Sequence, residues 1–245
     1  MQKYFIDDND FNTNSITSRD AFHICKVMRS KVGDNVLIGH NLKTYLVELT
    51  SIKEKIVTFD IKEELDINNE LPVNVHILQG YPKGDKFEDI IKHGVELGAY
   101  AFTPVLTSRT QFNVDEKRKV SKIERFNKIS KEAAEQSNRA LAPLVNNFTK
   151  LKDIVFSLYD YIFVCFEESA KNGEYKEFKA LISNIKVNSN IAFIIGPEGG
   201  LAEEEVNYLI DKGAKVGALG KRILRTETVV FYVLSSISYE MELTK

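Results

Sequence analysis

Two segments of this chain carry residue types whose spacing points to chemistry. The first is FIIGPEGGLAEEEV, Phe193 to Val206. It has an apolar run, then Gly196, Gly199 and Gly200 around Pro197 and Glu198, then Glu203, Glu204 and Glu205. Strand, glycine loop and helix opening in that order usually cradle a phosphate on helix N–H groups. Here four glutamates would repel one, no Gly-Lys-Ser/Thr follows, and the dinucleotide Gly-x-Gly-x-x-Gly is missing. A ligand that carries adenine and apolar surface, lacks phosphate and bears a positive centre suits the loop, and S-adenosylmethionine has those properties. The plainer alternative is a turn that only links strand to helix, with the glutamates complementing the helix dipole.

The second segment is LGKRILRTETVV, Leu219 to Val230, in which Arg222 and Arg225 flank the apolar pair Ile223 and Leu224. Burying Arg225 alone would be costly, so it should meet a carboxylate or an anionic ligand. Thr226 fits the N-cap of a last helix and Glu227 its first turn. Capping plus a structural Arg–Glu pair would account for Thr226 and Glu227, though poorly for two arginines around an apolar pair.

These segments need elements to hold them. After Pro72 the period changes to alternating strands and helices: VNVHILQG, an amphipathic helix in GDKFEDIIKHGVELG, AYAFTPVL, a long helix from Asp115 to about Leu141, YIFVCF, IAFII, AKVGALG, and a last helix from Thr228 to Glu242. That alternation means a mainly parallel α/β sheet, whose ligands bind at the carboxyl ends of the strands. Three strand ends qualify: Glu167-Glu168-Ser169, the glycine loop, and Lys221 to Thr228. Before Pro72 the runs KYFI, NVLIG, TYLVELT and KIVTFDI are short strands, interrupted by a helix with Ser18 as N-cap and Gly33 just past its end. The polar stretch LDINNELP separates the two halves, giving domains 1–71 and 72–245.

Composition is that of a soluble globular protein, at 43% hydrophobic and 28% charged residues. The opening MQKYFIDDND is no secretory leader and no apolar run approaches the roughly 18 residues of a membrane span, so a cytoplasmic protein without membrane contact is expected. Cys25 and Cys165 are far apart in apolar contexts and read as buried small hydrophobes; no cysteine pairing or metal-ligand spacing is present. Net charge is −2, against a polycation, yet Thr107 to Arg139 holds nine Lys/Arg against five Asp/Glu, and Arg19 to Lys55 seven against four. A solvated mixed surface would explain these counts as well.

The spacing IGPEGG…EE followed by LGKRILRTET resembles the C-terminal signature of SPOUT-class RNA methyltransferases, and most closely the family that methylates N3 of a uridine in 16S ribosomal RNA. KGDKFEDIIKHGVELG, PVLTSRTQF and EAAEQSNRALAPLV resemble successive segments of its methyltransferase domain, and HICKVMRSKVGD its N-terminal PUA-like barrel. The resemblance spans nearly the whole chain. It departs at Leu201-Ala202, where a Ser or Thr cap is usual, and at His23, which follows Phe22 where the family pairs histidines. His23 therefore reads as a packed or hydrogen-bonded histidine.

The resemblance implies an α/β fold: a PUA-like RNA-binding β-barrel, then a SPOUT domain with a deep trefoil knot, S-adenosylmethionine as cofactor, and a homodimer through the knot domain. It implies cofactor contacts from Phe166, Ile195, Gly196, Gly199, Leu219, Gly220, Ile223, Leu224 and Thr226. Arg225 would stabilise charge on the uracil carbonyls, and Glu198 or Glu227 is the nearest candidate for accepting the N3 proton. Lys26, Arg29, Arg109, Gln136 and Arg139 are candidates for holding 16S rRNA of the small subunit. The stripe Val229, Val230, Phe231, Val233 and Leu234 would face a second copy, or be an internal core helix. Alternatives are a SPOUT enzyme acting on a ribose 2′-oxygen or on tRNA, a non-catalytic RNA-binding protein, and an α/β domain with an unrelated small ligand.

Overall fold

A computed structural model describes residues 1–112, 115–166 and 176–244. By density of internal contacts the chain forms two units, Met1–Glu70 with Ala134–Ala142, and Leu71–Ala133 with Pro143–Lys245. The segment 134–142, which the sequence reading placed in the second domain, thus belongs with the first unit.

The first unit is a five-stranded sheet of β1 (Lys3–Phe5), β2 (Ser15–Thr17), β3 (Asn35–His40), β4 (Lys43–Lys53) and β5 (Ile56–Leu65). The order is β1-β3-β4-β5-β2, antiparallel except for the parallel β1–β3 pair. Among the described residues no ladder joins β1 to β2, so its hydrogen bonds leave open the barrel that the sequence reading expected. Tyr4, Ile16, Ile24, Ile38, Val47, Leu49 and Phe59 form its core. α1 (Asp8–Asn12) is capped by Asp7, whose side chain accepts from the Asp10 N–H. α2 (Ser18–Phe22) continues into a wide turn, His23–Val27, and stops there rather than near Gly33. Arg29 adopts a left-handed φ of 53°, which no α-helix continues through. Ser18 is the first helical residue and Thr17 the N-cap, without a capping hydrogen bond.

The second unit is a seven-stranded parallel sheet. Its strands are β6 (Asn74–Gly80), β7 (Ala101–Leu106), β8 (Leu144–Val145), β9 (Thr149–Lys150), β10 (Tyr161–Cys165), β11 (Asn190–Ile195) and β12 (Lys215–Gly217). The order is β12-β10-β11-β6-β7-β8, with β9 also on β7. β11 lies between two parallel neighbours and is buried on both faces: Ile191 to Ile195 are at most 2% exposed. Each large side chain there contributes about 1.5–3 kcal/mol on burial. The helices are α3 (Lys86–Glu96), α4 (Glu116–Gln136), α5 (Lys176–Asn184), α6 (Glu203–Asp211) and α7 (Thr226–Ser238).

In α3, Phe87, Ile90, Ile91, Gly94 and Val95 recur at helical spacing and face the core. α4 opens with Asp115 accepting from the Arg118 N–H at 2.8 Å. It ends at Gln136 rather than near Leu141, where Asn138 turns left-handed at φ 56° and the Arg139 N–H returns to the Ala134 carbonyl. α7 places Val230, Val233, Leu234 and Ile237 in the interior. Of the two readings of that stripe, the internal core one holds for Val230, Val233 and Leu234.

Candidate functional site

β11 delivers the chain into the glycine loop at the carboxyl edge of the sheet. Gly196 is required by a close approach: a Cβ there would lie 2.9 Å from the Gly200 carbonyl carbon. Gly200 is required by its φ of +69°, with its N–H donating to the Pro197 carbonyl at 2.8 Å to close the turn. Gly80, the last residue of β6, makes room for the same turn, because a Cβ there would meet Pro197 Cδ at 2.4 Å and Pro197 N at 2.6 Å.

Other elements hold the loop from outside. Arg109 Nη1 donates to the Gly199 carbonyl at 2.8 Å. Lys86 Nζ donates to Glu198 Oε1 at 2.7 Å, and the Lys83 N–H reaches the same carboxylate at 3.2 and 3.3 Å. Burial would push the Glu198 carboxyl up, but the Lys86 hydrogen bond, its own backbone N–H, the Lys83 N–H and the Lys86 charge together hold it below the usual carboxylate range. Glu198 is thus a loop anchor, and a carboxylate so satisfied is a poor proton acceptor. Beyond the loop, Ala202 has no side-chain acceptor to cap α6. Glu205 compensates by accepting the Ala202 N–H at 2.9 Å and the Ser108 N–H at 2.7 Å.

The second segment runs from β12 to α7. Thr226 is the first helical residue and Arg225 the N-cap, one position earlier than expected, while Glu227 lies in the first turn as expected. The Thr226 hydroxyl has other partners: it donates to the Gly196 carbonyl at 2.7 Å and accepts from Gln79 Nε2 at 2.7 Å. Gln79 is fully buried and also donates to the Gly80 carbonyl at 2.9 Å. One amide and one hydroxyl therefore tie β6, the glycine loop and α7 together.

A cavity of about 610 Å³ opens between the two segments. Ile195, Gly196, Glu198 and Gly199 form one wall, and Leu219, Gly220, Ile223, Leu224, Arg225 and Thr226 the other. Phe166 borders it from the end of β10, and Arg109 from the loop after β7. Every cofactor and catalytic candidate from the sequence comes together here. Lys86, Arg222, Glu227 and Cys165 line the cavity as well. Sequence reasoning gave Lys86 and Gln79 no part in the site and noted Arg222 only as a flank of Ile223 and Leu224; the available signals for the first two were a lysine opening an amphipathic helix and a glutamine near the end of an apolar strand. Cys165 and Cys25 are half-buried rather than fully buried, and burial pushes the Cys165 thiol up, away from a reactive thiolate.

Arg109, proposed from sequence for RNA, is exposed at the cavity rim with its guanidinium on the loop. In the first unit, Lys26 is exposed, 4.0 Å from Glu54, while Arg29 and Gln136 are exposed. Arg139 is not available to RNA. It is 2% exposed, its Nε donates to both Glu70 oxygens at 2.9 Å, and its Nη2 also reaches Glu70. A buried guanidinium is affordable only with such a partner. His23 accepts or donates at Nδ1 with the Tyr4 hydroxyl at 2.9 Å, as a packed histidine should. Glu167, Glu168 and Ser169 lie outside the described residues. Among the described residues no cluster of His, Cys, Asp and Glu suits a metal, and no helix is long and apolar enough to cross a membrane.

Comparison with known proteins agrees with this architecture. An RNA methyltransferase domain family matches residues 69–238, and an RNA methyltransferase PUA domain family residues 16–62. The ribosomal RNA small subunit methyltransferase E of Bacillus subtilis is 40% identical over 256 aligned positions, covering 100% of this chain and 99% of that protein. A Legionella pneumophila methyltransferase solved with bound S-adenosylmethionine superposes with a TM-score of 0.80 at 25% identity, covering 91% of this chain and 90% of that one. The fold is shared by the small subunit methyltransferase E of Neisseria gonorrhoeae bound to S-adenosyl methionine, with a TM-score of 0.80, 24% identity and 97% coverage of each chain. An N-terminal sheet of the PUA kind, a parallel methyltransferase sheet and full-length identity of this size establish that the chain belongs to the ribosomal RNA small subunit methyltransferase E family.

Proposed function

We propose that the chain transfers a methyl group from S-adenosylmethionine to N3 of a uridine in 16S ribosomal RNA of the small subunit. The observation that carries this is the cavity between the glycine loop and the 219–226 segment. It offers backbone and apolar surface from Ile195, Leu219, Ile223 and Leu224 to an adenosyl group. It has the apolar walls that an adenosyl group needs, and its glycine loop lacks the Gly-Lys-Ser/Thr of a phosphate loop. The cofactor supplies an electrophilic methyl when bound.

The chain's own residues then have three tasks. Gln79 and Thr226 hold the two walls at a fixed separation while the Lys86–Glu198 pair anchors the loop from outside, and orientation of this sort is the main source of rate in a methyl transfer. Arg225, exposed at the N-cap of α7, stabilises the negative charge that grows on the uracil carbonyls as N3 loses its proton. The exposed Lys26, Arg29 and Gln136 of the first unit, and Arg109 of the second, contact the RNA, whose target base must be unpaired or flipped out because N3 is on its pairing edge. We further place a trefoil knot in the C-terminal segment. A second copy would pack on α7 at Tyr232 and on the turn that follows it at Tyr239, which are 39% and 62% exposed.

The test is transfer of labelled methyl from S-adenosylmethionine to unmodified small subunits and to naked ribosomal RNA, followed by nucleoside digestion. Label in 3-methyluridine is expected, more from assembled subunits than from naked RNA. Label in a ribose-methylated nucleoside would overturn the target while leaving the cofactor cavity in place.

A further inference from the structure

Methylation at N3 requires a base, and the cavity carries one carboxylate whose bonding is incomplete. Glu227 sits in the first turn of α7 and lines the cavity. Its Oε2 is buried and has no hydrogen-bond partner among the described residues. Leaving a buried carboxylate oxygen unpaired costs about 1–3 kcal/mol or more. Because the residue itself lines the cavity, a carboxylate with an unpaired oxygen is suited to a partner that arrives with the substrate. The other carboxylates nearby are committed or exposed: Glu198 to Lys86 and the Lys83 N–H, Glu205 to Ser108 and Ala202, while Glu203 is exposed at the start of α6.

Building on the uridine-N3 reading, we infer that Glu227 is the catalytic base, its carboxylate accepting the N3 proton of the target uracil. The N3–H bond breaks and its proton passes to the Glu227 carboxylate. The nitrogen lone pair forms the new N–C bond to the donor methyl, while the C–S bond breaks and its electron pair remains on sulfur. A carboxylate and a sulfonium disappear together, leaving a carboxylic acid and a thioether. The charge-neutralising step therefore creates no isolated ion inside the cavity, where one would be most costly. Arg225 acts on the same uracil from the carbonyl side, so proton removal and charge stabilisation fall on different residues.

Charged groups that line the cavity with Glu227 come from three elements: Lys86 of α3, Glu198 of the glycine loop, and Arg225 immediately before α7. Arg109, Glu203 and Arg222 also line the cavity.

The experiment compares wild type with E227Q and E227D in single-turnover methyl transfer to unmodified small subunits across neutral and alkaline pH. Affinity for S-adenosylmethionine and for S-adenosylhomocysteine is measured alongside by calorimetry. E227Q should bind both ligands within about threefold of wild type. Its transfer rate at neutral pH should fall by about 10²–10⁴, the range of general-base catalysis, and climb steadily with pH as hydroxide takes over. E227D, which retracts the carboxylate by one methylene, should keep the wild-type pH profile at a reduced rate, and serves if the glutamine variant does not fold.

An unchanged rate and pH profile in either variant overturns the assignment. So does a rate loss matched by weaker S-adenosylmethionine binding with S-adenosylhomocysteine binding intact, because the carboxylate would then be a counter-ion to the sulfonium. A wild-type product other than 3-methyluridine overturns the target reading and the proton assignment with it. Production of 3-methyluridine by E227Q at the wild-type rate overturns the proton assignment alone.

Discussion

Replacing Gly80 by alanine should distort the cofactor cavity from behind, since Gly80 does not line it but packs against Gly196 and Pro197, which do. The added Cβ would meet Pro197 Cδ at 2.4 Å, Pro197 N at 2.6 Å and the Gly196 carbonyl carbon at 2.9 Å. Two of those three atoms are backbone, so no side-chain rotation relieves the contact. Either β6 or the glycine loop must shift. β6 is hydrogen-bonded on both sides, to β11 and β7 through registers that run to Gln79 and Gly80. The loop has one turn hydrogen bond and its outside anchors, so it gives way first. Overpacking of this kind costs about 1–3 kcal/mol. If the loop takes up the strain, that cost appears as affinity, and at about 1.4 kcal/mol per factor of ten it corresponds to roughly 5- to 150-fold weaker S-adenosylmethionine binding. Calorimetric titration of G80A with S-adenosylmethionine, beside urea unfolding, separates loss of affinity from loss of stability. Affinity within about twofold of wild type, together with a urea midpoint moved by less than about 0.2 M, would refute the reasoning, because the clash would have been absorbed at no cost.

Three further outcomes follow from the same contacts. T226V removes the hydroxyl between the Gln79 amide and the Gly196 carbonyl, and should cost about 1–3 kcal/mol in urea unfolding, most of it restored by T226S. E70A removes the Glu70 carboxylate that Arg139 Nε bonds in a buried site and should cost about 3–5 kcal/mol, whereas the double variant E70L/R139M should recover much of that and bind ribosomal RNA within about threefold of wild type. A large loss of RNA affinity in the folded double variant would return Arg139 to the RNA contacts. Burial lowers the affinity of His76 for a proton, with a smaller opposing effect from Asn190. The unfolded chain then binds more protons than the folded one as pH drops through the ordinary histidine range, so stability is full above that range and declines through it. H76F should flatten that limb of the stability–pH curve, as read from unfolding midpoints across mildly acidic pH.

The parallel sheet was legible because β6, β10 and β11 are apolar runs with turn residues between them, a pattern that burial on both faces demands. The cavity was legible because Gly196 and Gly200 answer to backbone constraints that only glycine meets, and such constraints leave a direct trace in sequence. Helix ends were less so. α2 and α4 stop where Arg29 and Asn138 turn left-handed, and neither residue announces that conformation as glycine would. Arg139 and Thr226 misled for a common reason: their roles depend on partners distant in sequence, Glu70 in one case and Gln79 with Gly196 in the other. Local propensity makes an arginine on a basic stretch a surface residue and a threonine before a helix a cap. Only the folded contacts reverse both.

The assignment of residues 134–142 to the first unit bears on the order in which the protein can be made. Lys3 is 1% exposed, and its ammonium donates to Thr44 Oγ1 at 2.8 Å and to the Arg139 carbonyl at 2.7 Å. The second acceptor is synthesised long after the first. At roughly 5–20 residues per second, a growing chain that has reached Glu70 needs about 4–14 s more to reach Ala142. During that interval the N-terminal sheet must stay on the ribosome with Lys3 incompletely paired. The N-terminal unit therefore cannot mature as the leading module of an assembly line. It waits for the middle of the chain, and a message truncated after Glu70 would encode its strands without the segment that completes it.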